Sequence, residues 1–171
     1  MQASDFTPLV NEYCAEVLDS MYFTTVLEIS HPPDQQPAPA PDALAFSLRF
    51  QGDVHGTFGI SLSLSMARTL ASNFLGEEER DLTEAEVAEV VGELTNMLCG
   101  SILSRVIGTS KFALSHPQPF LPAYPAPATP SCDMLTSDLE TDSGILQTWV
   151  TVDHPFASRE NSDTEILQAA H

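Results

Sequence analysis

The chain has 171 residues, and its 24 acidic against six basic residues leave a net charge of −18. Its length suits one domain, and a hydrophobic content of 43% is enough for a packed core. So few Lys and Arg argue against a bare nucleic-acid binder and against anionic membrane surfaces, and favour a protein partner that offers a lysine.

The first residues carry Asp5 and lack a basic start and an apolar run, so no secretory leader is expected. The longest uncharged stretch, 112–132, holds six prolines from Pro117 to Pro130 and cannot be a membrane helix. Cys14, Cys99 and Cys132 are odd in number and far apart, which gives neither a disulfide framework nor a CxxC zinc motif. They read as small buried hydrophobes in a cytoplasmic protein.

Residues 5–21 predict an amphipathic helix, with Phe6, Leu9, Val10, Tyr13, Cys14 and Val17 at i, i+3 and i+4 spacing. Residues 23–29 are β-prone through Thr24, Thr25, Val26 and Ile29. The five prolines between Pro32 and Pro41 then predict an elongated hairpin connection that cannot join a sheet. Leu44, Phe46, Leu48 and Phe50 alternate as in a half-buried strand, Gln51-Gly52-Asp53 signals a turn, and Phe58, Ile60, Leu62 and Leu64 alternate again. The small residues Gly59, Ser61 and Ser63 on the opposite face predict a solvated face. A close neighbour is the other possibility.

A helix follows, with Ser65 as N-cap and Gly76 just past its end. Residues 77–81 form a charged linker. Thr83 and Glu86 are spaced as a capping box that opens a long helix to about Val106. Phe112 and Leu114 suggest a short strand before the proline-rich segment 117–130. Residues 134–139 and 145–152 predict a hairpin turning at Asp142-Ser143-Gly144. The alternating Asp138, Glu140 and Asp142 suggest a solvated edge that discourages strand pairing. Trp149 is expected in the core. We divide the chain into a domain at 1–153 and a polar C-terminal tail at 154–171. The order of elements predicts an α+β fold, an antiparallel sheet with helices packed on it.

The long helix carries the informative pattern. At about 100° per residue, Val87, Val90, Val91, Leu94, Leu98 and Ile102 make one apolar stripe. Glu89, Glu93, Asn96 and Gly100 fall on the opposite side. This presents two carboxylates and a carboxamide in a row, and Gly100 keeps its end uncluttered. A carboxylate can pair with a partner's lysine. A carboxamide offers a donor and an acceptor at once, as needed to orient one attacking water. The five histidines show no metal-site spacing; His55, beside Asp53, reads as solvated. There is also no serine-hydrolase elbow, P-loop or zinc cluster. Phe120 and Tyr124 read as loop packing, with partner docking as the other possibility.

The stretch resembles the signature of the CheC, CheX and FliY family of chemotaxis phosphatases: Asp or Ser, three residues, Glu, two residues, Asn, then twenty-two residues and Pro. Glu93 and Asn96 occupy the Glu and Asn places, and twenty-two residues separate Asn96 from Pro119. Gly92-Glu93-Leu94-Thr95-Asn96-Met97 and Gly100 also look like the family's wording, and the similarity extends over about 6–152. Glu89 departs, standing where the family has Asp or Ser. Glu12 and Glu16 in the first helix lack an Asn three residues on, so only one copy of the motif is present, as in CheX-like members.

The resemblance implies a hydrolase that dephosphorylates a phosphorylated CheY-type receiver in chemotaxis or another two-component pathway. Glu93 would pair with the receiver's active-site lysine, Asn96 would align water in line with its phosphoaspartate, and Pro119 would shape a loop. The receiver would supply Mg²⁺, leaving this chain without a cofactor or metal of its own. A homodimer with two receiver sites is expected by analogy. Two other readings stay open: a receiver- or motor-docking adaptor of the same fold without turnover, and a structural domain whose polar row is a solvated face.

Overall fold

The computed structural model describes residues 3–30, 41–106, 111–119 and 132–153. Its elements are helix α1 (Ala3–Tyr22), strands β1 (Val26–Ser30), β2 (Leu44–Gly52) and β3 (Gly56–Leu62), helices α2 (Leu64–Leu75) and α3 (Glu84–Val106), and strands β4 (Phe112–Leu114), β5 (Gln118–Pro119), β6 (Cys132–Thr141) and β7 (Gly144–Asp153). A 3₁₀ turn, Glu79–Asp81, lies inside the charged linker. The strands form one sheet in the order β1-β6-β7-β3-β2-β4, with β5 also on β2. Every pairing is antiparallel. The α+β expectation is met.

Phe46, Leu48 and Phe50 of β2, Phe58, Ile60 and Leu62 of β3, and Leu146 and Val150 of β7 turn one sheet face inward. Val10, Cys14 and Leu18 of α1, Met66 and Leu70 of α2, and the apolar stripe of α3 complete the core against it. The six stripe residues of α3 are all at most 5% exposed. On the same face the buried Ser137 hydroxyl donates to Asn11 Oδ1 at 2.5 Å, so this polar spot between α1 and the sheet is paired.

Local chemistry sets the helix ends. Glu86 Oε2 accepts from Thr83 N at 2.8 Å and from Thr83 Oγ1 at 2.6 Å, and Glu86 N donates back to Thr83 Oγ1 at 3.3 Å. This is the capping box read from the sequence, and these hydrogen bonds hold the Glu86 carboxyl below its ordinary value. Gly76 closes α2 at φ 71°. The cap at the other end of α2 is Ser63, not Ser65, because the Ser63 side chain accepts from Met66 N at 3.2 Å. Leu64 accordingly begins the helix rather than continuing the strand.

Three further expectations are corrected. The proline-rich connection after β1 is not a hairpin, because β1 pairs with β6 and lies across the sheet from β2. Residues 31–40 themselves lie outside the described residues, as do Phe120, Tyr124 and the tail 154–171. The small face of β3 is not solvated: Gly59 and Ser61 are buried, and Trp149 is the close neighbour. Asp138 is not on a solvated edge either. It is 5% exposed on a strand flanked by β1 and β7, because β1 returns to cover β6. Among the described residues no helix is long and apolar enough to cross a membrane.

Candidate functional site

The site is built on the middle of α3. Its inward stripe is fixed by the sheet, so helical geometry alone turns residues 89, 93, 96 and 100 outward. Glu89 and Glu93 are exposed, and Asn96 and Gly100 are partly exposed. The buried Thr95 beside them donates its hydroxyl to Val91 O at 2.8 Å and stays out of the row. Among the described residues neither Glu89, Glu93 nor Asn96 makes a side-chain hydrogen bond or ion pair. The row is therefore uncommitted, as a surface that acts on a partner must be.

Two neighbours shape the row. On one side, residues 112–119 run along the edge of β2. Ser115 N donates to Arg49 O at 2.8 Å, and Arg49 N donates to Ser115 Oγ at 2.9 Å. This pins the segment beside α3. A Cβ added at Gly92 would meet Pro117 Cβ at 3.8 Å, and one added at Gly100 would meet Leu114 Cδ1 at 3.9 Å. Asn96 stands midway between these two glycines, one turn from each, so nothing on that stripe crowds its amide. Pro119, the distal motif residue, is exposed in β5 and pairs with Phe46 of β2.

On the other side lie the ends of α1 and α2. The buried Tyr22 ring stacks on Phe74, centroids 5.0 Å apart, and its hydroxyl points to Met97 Sδ at 3.7 Å. Burial, and then the negative charge of Glu93, hold the Tyr22 phenol well above its ordinary value. Tyr22 of α1, Phe74 of α2 and Met97 of α3 thus mark the junction of all three helices, one turn along α3 from Glu93.

A cleft of about 970 Å³ follows the row. It is lined by Glu89, Glu93 and Asn96 of α3, by Phe74 and Leu75 of α2, and by the 114–117 segment. Sequence reasoning found the α3 residues from their spacing. It missed Phe74 and Leu75 of α2 and His116 after β4, which line the cleft, and Tyr22 beneath Phe74; none carries a local signal. Among the described residues no three His, Cys, Asp or Glu side chains gather as a metal site requires. Chemically the arrangement offers an uncommitted carboxamide, a carboxylate one turn away and an acidic, partly apolar surround.

A family model described as chemotaxis phosphatase CheX matches residues 45–123, a span that contains Glu93, Asn96 and Pro119. No curated protein matches the chain in sequence. Among solved structures, the CheX–CheY–BeF3–Mg²⁺ complex from Borrelia burgdorferi matches with TM-score 0.66 and 17% identity over 87% of this chain and 98% of that one. CheX from Vibrio vulnificus matches with TM-score 0.68 and 20% identity over 90% and 99% of the two chains. A CheC-like superfamily protein from Shewanella sp. PV-4 matches with TM-score 0.68 and 20% identity over 90% and 99%. The chain thus resembles the CheX chemotaxis phosphatases in sequence over its middle and in fold over most of its length.

Proposed function

We propose that this protein is an aspartyl-phosphate phosphatase acting on a CheY-type response-regulator receiver. The observation that carries the reading is the uncommitted pair Glu93 and Asn96, one turn apart on an exposed helix face, inside a stretch that matches a phosphatase family. In this reading Glu93 pairs with a lysine of the receiver and sets the docking. Asn96 enters the receiver's site and holds one water, accepting from its O–H while donating to its lone pair. The water oxygen attacks phosphorus opposite the phosphorus–oxygen bond to the receiver's aspartate. That bond breaks, the aspartate leaves as carboxylate, and the water's protons remain on the phosphate and solvent. The gain comes from orienting water that would otherwise attack at random.

The receiver brings the phosphoryl group and Mg²⁺, so the part left to this chain is to dock and to hold the water. The Borrelia relative was solved with CheY, BeF3 and Mg²⁺, which supports a partner and a metal of this kind. Gly100 keeps the row clear, and Pro119 shapes the segment beside it. A cytoplasmic homodimer with two such sites goes with the resemblance. A second reading, a docking adaptor without turnover, is favoured by Glu89, which stands in place of the family's Asp or Ser.

The test is phosphate release from CheY-type receivers of the same cell, phosphorylated with acetyl phosphate in the presence of Mg²⁺. Acceleration by the wild type, with kcat lost about 100-fold in Asn96→Ala and docking weakened in Glu93→Ala, is the expected result. Receiver binding that ignores Asn96, with no release of phosphate, would replace the phosphatase by the adaptor.

A further inference from the structure

The cleft extends beyond the motif pair toward the end of α2, and that part has its own chemistry. Leu75 is the last residue of α2 and is 42% exposed. Gly76 then turns the chain away in the left-handed conformation, and among the described residues a Cβ there would meet nothing within 4 Å, so the space beside the end of α2 is open. Phe74 beside it is fixed from below by the Tyr22 stack, and Asn73 Nδ2 donates to Tyr22 O at 2.9 Å. The apolar corner is thus rigid before anything binds, which removes most of the ordering cost of using it.

Glu77 and Glu89 line the same cleft as Phe74 and Leu75. Neither has an ion-pair partner among the described residues. Of the described Arg and Lys side chains none lines the cleft: Arg49 faces Asp153, Arg68 donates to the Glu79 and Leu82 carbonyls, Arg80 faces Glu78, Arg105 faces Glu16, and Lys111 is not among the lining residues, which leaves the His116 imidazole as the one basic group there among the described residues. With a net charge of −18 on the chain, the occupant must bring positive charge.

We infer that Phe74, Leu75, Glu77 and Glu89 form a second contact surface for the receiver, taking an apolar side chain flanked by a basic one, and so select among receivers. This rests on the receiver reading and deepens it. It also gives Glu89 a role: one turn before Glu93, its longer carboxylate meets the flanking base rather than the phosphoryl site. Occupying the corner buries Leu75 and Phe74 edges, while the carboxylates steer and orient the approach.

The experiment measures phosphate release against receiver concentration, using the full chain and each CheY-type receiver of the same cell phosphorylated with acetyl phosphate. Leu75→Ser is expected to raise KM about tenfold for the preferred receiver, since about one apolar side chain is lost from the contact. Glu89→Ser is expected to raise KM about threefold and to flatten its dependence on salt. Leu75→Ser keeps kcat, whereas Asn96→Ala loses kcat. If the wild type binds a receiver without turnover, the same shifts are read in Kd by calorimetry. A wild type that turns over or binds a receiver, with both variants unchanged in KM or Kd, overturns the second surface and leaves the receiver reading standing. A wild type that neither turns over nor binds any receiver overturns both.

Discussion

The indole of Trp149 lies across Gly59 on the sheet face turned away from the helices: a Cβ on residue 59 would run into Trp149 Cζ2 and Cε2. The two residues are cross-strand partners in β3 and β7. Gly59 is what lets Trp149 lie flat enough to reach 1% exposure. Gly59→Ala should therefore destabilise the fold by about 2 kcal/mol, the cost of forcing extra volume into a packed site. Trp149 is the chain's sole tryptophan, so its fluorescence follows the change directly in a urea titration. Trp149→Phe in the same background, followed by circular dichroism because it removes the sole tryptophan, should restore part of the loss; an unchanged midpoint for Gly59→Ala would show that the indole moves aside freely.

Gly92 and Gly100 behave in the opposite way. A Cβ at either would meet only ordinary contacts, the nearest at 3.7 Å and 3.9 Å. Each glycine costs α3 roughly 1 kcal/mol against alanine. Gly100→Ala should raise Tm by about 2–4 °C in a scanning calorimeter. If the glycine is kept for access to Asn96, receiver turnover falls in the same variant. Greater stability with unchanged turnover would leave Gly100 without a role at the site.

Cys14 and Cys99 are buried free thiols. Burial pushes the Cys14 thiol up from 9.0 to about 12, and raises that of Cys99 as well. Neither should react with iodoacetamide at pH 8 in the folded protein, and both should react in denaturant, as read by peptide mass spectrometry. A folded value above the unfolded one means that the contribution to stability is complete below pH 9.0 and is lost as the pH rises toward about 12. Tm should fall across that window, and less so in Cys14→Ala once its own packing loss is subtracted.

Asp138 is buried, and its Oδ1 finds no hydrogen-bond partner among the described residues. Burial raises its carboxyl above the ordinary value, partly opposed by a hydrogen bond with Gln147. Its folded value therefore lies above its unfolded one. Stability from this group is present in acid and is lost as the pH rises through the raised value. Asp138→Asn should raise Tm at pH 7 and not at pH 3. An equal shift at both values would mean that the charge is not the cause.

Much of this molecule was legible in the order of its residues. The α3 stripe, the Thr83–Glu86 box, the β6–β7 hairpin and the outward row from Glu89 to Gly100 follow from a period, a cap or a turn, each contained within a few neighbouring residues. Misreadings began where a local rule had two solutions. Ser63 and Ser65 are both good caps, and the choice fell to the point where Leu64 leaves the sheet. Gly59 and Ser61 suited solvent as well as a neighbour until β7 brought Trp149 over them. The prolines after β1 fitted a hairpin until β1 paired with β6.

The sequence by itself determined the α+β class, the motif and which face of α3 carries it, because helix periodicity needs no distant contact to be read. Only the tertiary structure decided the strand order, the burial of Asp138 and the cleft beside Asn96. Those depend on residues such as Tyr22, Phe74 and Pro117, which are far apart along the chain. They meet only when the apolar faces of α1, α2 and β2 are buried together against α3.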